Sequence, residues 1–121
     1  MGLDTFASRS PDDIELSPED IQAFQDGDIQ LAGGIFSGGN DGSFRGKVYQ
    51  ILIWEITGVS LLQDWLQPET VREMSLTLDD CNPQEAIDES DTLNRTTDEI
   101  LELRKFFQVC AERKLGLVNW W

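Results

Sequence analysis

Hydrophobic residues recur with helical spacing in several segments of the chain, each preceded by polar residues that favour a helix start. Ser17 and Pro18 predict the beginning of one such helix. Ile21 and Phe24 form its buried side, and Gly27 ends it. A second helix starts at a later proline and has one apolar face. It begins at Pro68, and its apolar face consists of Val71, Met74 and Leu78.

The best-patterned helix lies near the end of the sequence. Thr96-Thr97-Asp98-Glu99 is a capping box, whose side chains satisfy free backbone N–H groups at a helix start. Acidic residues near that start, and Arg113 and Lys114 near the end, suit the helix dipole. Gly116 is predicted to end the helix and turn the chain into a terminal strand, residues 117–121. The apolar stripe consists of Ile100, Leu103, Phe107 and Cys110.

The segment 43–57 is ambiguous between helix and strand. Its apolar residues have helical spacing, yet many are strand-favouring types. Its length favours a nearly all-buried helix that Ser43 caps and Gly58 ends. Strands are predicted at residues 1–8 and at residues 28–36, the latter with a glycine pair that indicates a bulge or an early end.

Two further segments complete the predicted fold. Ser60-Leu61-Leu62-Gln63 matches a capping box and predicts a short helix with Trp65 on its inner face. Residues 79–95 hold six acidic residues and one basic residue, which predicts a mobile acidic loop. We therefore predict one α+β domain over residues 1–121. Its small sheet has about three short strands, which are the two chain termini and residues 28–36, with four to five helices packed on it.

Charge narrows the classes of partner. The 121 residues include 23 acidic and nine basic ones, for a net charge of −14. Nucleic-acid backbones and anionic membranes both require clustered Lys and Arg, so neither is a predicted partner. The longest apolar run, residues 51–54, is too short to span a membrane. The charge suits a highly soluble protein, a surface that attracts a basic protein partner or, as a weaker alternative, a mimic of nucleic acid.

Little of the sequence points to catalysis. Histidine is absent, which excludes imidazole bases, histidine-containing nucleophilic pairs and most transition-metal sites. Cys81 and Cys110 have neither redox nor metal spacing, so both are predicted to be reduced thiols, with Cys110 in the core. The start of the chain lacks the pattern of a secretory leader, which favours a cytoplasmic location. We predict no catalytic residue, no metal site and no cofactor.

A glycine-rich segment, residues 38–47, carries the most suggestive chemistry. If a helix began at Ser43, its free N–H groups and the nearby cations would converge on an anion. The segment differs from a phosphate-binding P-loop, because its glycine spacing is one residue short and Val48 replaces the metal-binding hydroxyl. The structural alternative is a flexible connection into a buried helix. The candidate anion-binding residues are Gly39, Asn40, Ser43, Arg45 and Lys47.

The tryptophans offer a second candidate site. Trp54 and Trp65 are expected in the core. Trp120 and Trp121 alternate on a terminal strand that is expected to pair beside the first strand, with at least one indole buried and the other available to a partner.

Three segments, Met1–Asp4, Gly42–Tyr49 and Leu115–Trp121, resemble a family of short bacterial proteins of unknown function. The resemblance covers most of the chain and implies a complete protein, but it implies no activity. The residues themselves favour a non-catalytic interaction or regulatory module that acts through an acidic or terminal aromatic surface. The alternative is a small enzyme or ligand-binding protein that uses residues 38–47 for an anionic metabolite.

Overall fold

The computed structural model describes residues 4–8, 16–27, 29, 43–61, 63–82, 85 and 97–120. Within these ranges, helices and an antiparallel sheet confirm the predicted α+β fold. The strands are β1 (Asp4–Ser8), β2 (Ser43–Phe44), β3 (Trp65–Leu66) and β4 (Gly116–Trp120). The helices are α1 (Pro18–Asp26), α2 (Gly46–Thr57), α3 (Pro68–Asp80) and α4 (Thr97–Arg113).

The two ends of the chain form the centre of the sheet, whose strand order is β2-β1-β4-β3. β1 and β4 pair along five residues, from Asp4 opposite Trp120 to Ser8 opposite Gly116. The predicted pairing of the two terminal strands is therefore confirmed. Consecutive residues are buried in both central strands, and successive side chains point to opposite faces. Both faces of the sheet are thus covered.

The helix predicted over residues 43–57 is observed over Gly46–Thr57, so it begins two residues later than a cap at Ser43 implies. Ser43 and Phe44 instead form β2, where they lie opposite Phe6 and Thr5 of β1. Arg45 therefore occupies the N-cap position of α2 without a side-chain cap bond, and the prediction that Ser43 caps this helix is wrong. The other end of α2 is as predicted: Gly58 ends the helix at φ 73°.

The short helix predicted from Ser60 is wrong in the described part of that segment. Gln63 donates to the Ser60 carbonyl at 2.9 Å, and Trp65 and Leu66 form β3. The segment pairs with β4 instead, where Trp65 lies opposite Val118, and so forms an edge strand of the sheet. The strand predicted at 28–36 lies outside the described residues except for Ile29, which is buried.

The predicted cap of α1 and the predicted buried faces of α1, α3 and α4 are largely observed. At α1, the Ser17 hydroxyl accepts from the Asp20 N–H at 3.2 Å, and the Asp20 carboxylate accepts from the Ser17 N–H at 3.0 Å. Phe24 is fully buried as predicted, whereas Ile21 is half-buried. The predicted apolar residues of α3 and α4 are all buried. They are Val71, Met74, Leu78, Ile100, Leu103, Phe107 and Cys110.

An aromatic cluster connects three elements in the core. The Phe106 ring of α4 lies 4.9 Å from the Phe24 ring of α1 and 4.8 Å from the Phe44 ring of β2, centroid to centroid. Such distances fall in the favourable range for aromatic pairs. The predicted stripe of α4 omitted Phe106, which nevertheless lies at the junction of helix and sheet.

The exit from α4 differs from the prediction. Lys114, not Gly116, takes the left-handed conformation, at φ 58°, and the Leu115 N–H donates to the Cys110 carbonyl at 2.8 Å. Gly116 is already the first residue of β4. Asp79 and Asp80, predicted to begin the acidic loop, belong to α3, and most of that loop lies outside the described residues.

Candidate functional site

The predicted anion site is only partly described. Gly39 and Asn40 lie outside the described residues. Ser43 is buried in β2, with 4% of its surface exposed, while Arg45 is exposed at the α2 N-cap. Lys47 lies in the first turn of α2, where its backbone alone is described. The site stays a prediction, but the helix N-terminus it relies on is at Arg45 and not at Ser43.

The terminal tryptophans are described less fully still. The backbone of Trp120 pairs with Asp4 at the end of β4. The side chain of Trp120, and all of Trp121, lie outside the described part of the chain. Their burial and their role in binding a partner therefore stay predictions.

A different aromatic residue is exposed. Trp54 and Ile51, one turn apart on α2, have 55% and 52% of their surfaces exposed. We call these two side chains the α2 face. The opposite side of α2 enters the core through Tyr49, Leu52 and Ile53, all buried. The expectation that Trp54 lies in the core is therefore wrong, and Trp65 is half-buried in β3.

The helical period contained the signal for the α2 face. Residues 49, 52, 53 and 56 follow the i, i+3, i+4, i+7 spacing of one face, which places residue 54 on the polar side with Glu55. Sequence reasoning missed the α2 face because it weighed the apolar type of tryptophan above its position in the period.

A shallow cavity lies against the beginning of α4. Its volume is about 360 Å³, and its described lining is Asp98, Glu99, Leu101, Glu102 and Lys105. Leu101 is 42% exposed, and the Lys105 ammonium lies 3.1 Å from a Glu102 carboxylate oxygen. The described lining thus holds three carboxylates and one ammonium, so the local charge is negative.

Both cysteines are free thiols, as predicted. Cys110 is fully buried, and desolvation raises the pKa of its thiol well above the usual range. Cys81 is half-buried just after α3, where its Sγ donates to the Leu78 carbonyl at 3.2 Å. Burial makes Cys110 a core residue with little thiolate to react.

Arg104 joins α4 to the end of α3. Its Nε donates to the Leu78 carbonyl at 2.7 Å, and its Nη2 donates to the Cys81 carbonyl and lies 3.8 Å from the Cys81 Sγ. A cation at a helix C-terminus satisfies carbonyls that have no partner within the helix. The contacts of Arg104 therefore support a structural role.

Two further buried polar groups hold elements together. Asp20, which is fully buried, forms an ion pair with Arg113 and so ties α1 to the end of α4. Asn119 in β4 accepts from the Thr5 hydroxyl at 2.7 Å and donates to the Gln63 carbonyl at 2.8 Å. Buried polar groups cost free energy unless bonded, so these contacts stabilise the sheet and its neighbours.

Within the part of the chain that the structure describes, no group of His, Cys, Asp and Glu side chains has the arrangement of a metal site. Among those same residues, no helix combines the length and the apolar character needed to cross a membrane. Family models, curated proteins and solved structures gave no match to this chain. The resemblance to short bacterial proteins therefore stays a prediction.

Proposed function

We propose that the chain is a non-catalytic interaction module that binds a basic protein partner through the α2 face. The observation that carries the proposal is the exposure of Trp54 and Ile51, each more than half accessible on one side of a single helix. Tryptophan is strongly enriched among the residues that dominate binding energy at interfaces, because it combines a large apolar area with little rotamer freedom. A partner that covered both side chains would remove that apolar surface from water.

The sign of the partner's charge follows from the sequence. A net charge of −14 attracts a basic surface over long range and repels anionic ones, including nucleic acid. The described lining of the cavity at α4 adds to this negative field. We also propose a cytoplasmic location, which the two free thiols support.

The alternative use of residues 38–47 for an anionic metabolite has less support. Its central hydroxyl, on Ser43, is buried in the edge strand β2 and does not lie at the first turn of α2. The negative net charge also opposes the approach of an anion.

Affinity capture with matched variants tests the proposal. The full chain is immobilised and exposed to extract of its source cells, and bound proteins are identified by mass spectrometry. We expect a protein of basic isoelectric point to bind the wild-type chain, to be lost with Trp54→Asp, and to bind more weakly at about 0.5 M salt. Leu76→Asp is the control, because Leu76 is equally exposed, at 56%, on α3.

The result that contradicts the proposal is equally specific. Circular dichroism first establishes that both variants are folded. If every captured protein binds Trp54→Asp as well as it binds the wild type, the α2 face is not the contact surface. If the proteins lost with Trp54→Asp are acidic, the proposed charge of the partner is wrong.

A further inference from the structure

The exposed residues of the α2 face have the spacing with which one helix packs against another. Ile51 and Trp54 are three residues apart and therefore project about 4.5 Å apart along the helix axis, on the same side. Gly58 continues this row one turn further on; it is exposed, and an added Cβ there would meet no atom within 4 Å. Rows of this spacing form ridges that fit the grooves of a second helix.

The described sheet edges offer little to an extended partner. Adding a strand to a sheet requires a run of backbone N–H and C=O groups along an edge. In the described ranges, the edge strands β2 and β3 have two residues each, and the longer strands β1 and β4 pair with each other in the centre. An extended segment would therefore find only short strands to pair with at either described edge.

Charge argues against a second copy of this chain as the occupant. Two copies would bring charges of −14 against one another, which disfavours the encounter at low ionic strength. A partner with lysine or arginine beside its apolar residues would instead be attracted.

Resting on the proposed function, we infer that the α2 face binds an amphipathic helix of the partner, with an apolar stripe flanked by lysine or arginine. The apolar stripe of the partner helix covers Ile51 and Trp54, and the backbones of the two helices come closest at Gly58. Helices that dock in this way are recognised through anchors at i, i+3, i+4 and i+7.

Three synthetic peptides of about five helical turns test this inference. The first has leucines at i, i+3, i+4 and i+7 with lysines elsewhere; the second has the same composition in strict alternation; the third replaces lysine by glutamate. Binding is followed by NMR through the backbone amides of residues 46–58. We expect the first peptide to bind at least tenfold more tightly than the other two. Trp54→Asp should weaken it about tenfold, and Leu76→Asp should not.

Equal binding of the alternating peptide, or shifts confined to residues outside α2, would overturn the inference. So would concentration-dependent dimerisation through α2 without peptide. A photoreactive residue at position 50, beside the α2 face, separates this inference from the proposed function. If a basic protein is captured through Trp54 but cross-links through an extended segment, the helix inference fails and the function stands. If no captured protein depends on Trp54, both fail.

Discussion

Gly116→Ala places a methyl group against β3, at the first residue of β4. A Cβ at this position would overlap the Leu66 carbonyl oxygen and would lie 2.5 Å from the Trp65 ring. Favourable contacts between non-bonded heavy atoms lie at roughly 3.5 Å, so the methyl would be about 1 Å too close to a backbone atom. The ring can rotate away, but the carbonyl cannot move without separating the two strands.

The expected loss of stability follows from that clash. Overpacking a close contact costs about 1–3 kcal/mol, and we expect about 2 kcal/mol or more here because a backbone atom is involved. With a urea m-value of about 1–3 kcal/mol/M, the unfolding midpoint should fall by roughly 1 M. Urea melts followed by far-ultraviolet circular dichroism measure the shift.

Two other glycines provide matched controls. Gly58→Ala meets no atom within 4 Å but keeps a φ of 73°, so it should cost about 1 kcal/mol through backbone strain alone. Gly27→Ala has a φ of −72° and nearest atoms at 3.5 Å, so it should be neutral or stabilising by about 0.5 kcal/mol. The urea midpoint should be highest for Gly27→Ala, lower for Gly58→Ala and lowest for Gly116→Ala. If Gly116→Ala melts at or above Gly58→Ala, the close approach of β3 to β4 is wrong.

Two further predictions concern the thiols and a buried amide. Under native conditions at about pH 8, Cys81 should be alkylated quickly and Cys110 slowly, because burial raises the pKa of the Cys110 thiol; equal rates by mass spectrometry would contradict its burial. Asn119→Leu should cost about 2–4 kcal/mol in urea melts, since it leaves the buried Thr5 hydroxyl without this acceptor and removes the bond to the Gln63 carbonyl. Adding Thr5→Val should recover part of the loss, and an Asn119→Leu variant as stable as the wild type would refute this account.

Local signals account for the helices that the sequence predicted correctly. The capping of α1 by Ser17 involves groups three residues apart, and the start of α3 at Pro68 depends on the φ of one residue. Such features are contained in a short window of sequence. The apolar stripe of α4 is likewise a matter of one helical period.

Long-range pairing accounts for the errors. Ser43 and Phe44 become a strand because β1, almost forty residues earlier, offers them an edge, and Trp65 becomes a strand through its pairing with Val118. No local propensity contains that information, since strand preference depends on what lies alongside. Ser60 and Gln63 match the residue types of a capping box, yet the residues that follow them, Trp65 and Leu66, pair with β4 as a strand.

Long-range contacts also determine which polar side chains are available to bind a ligand. Asp20, Arg104 and Asn119 carry polar side chains, but each bonds to a residue that is far away in the sequence. Moving Asp20 or Asn119 toward a ligand would break bonds of side chains that are themselves buried, at a cost of about 1–3 kcal/mol for each buried group left without a partner. Covering Trp54 and Ile51 breaks no such bond, because binding there removes apolar area from water. Binding at the α2 face thus costs the fold less than chemistry at its buried polar groups, which is the physical reason to look for function on that surface.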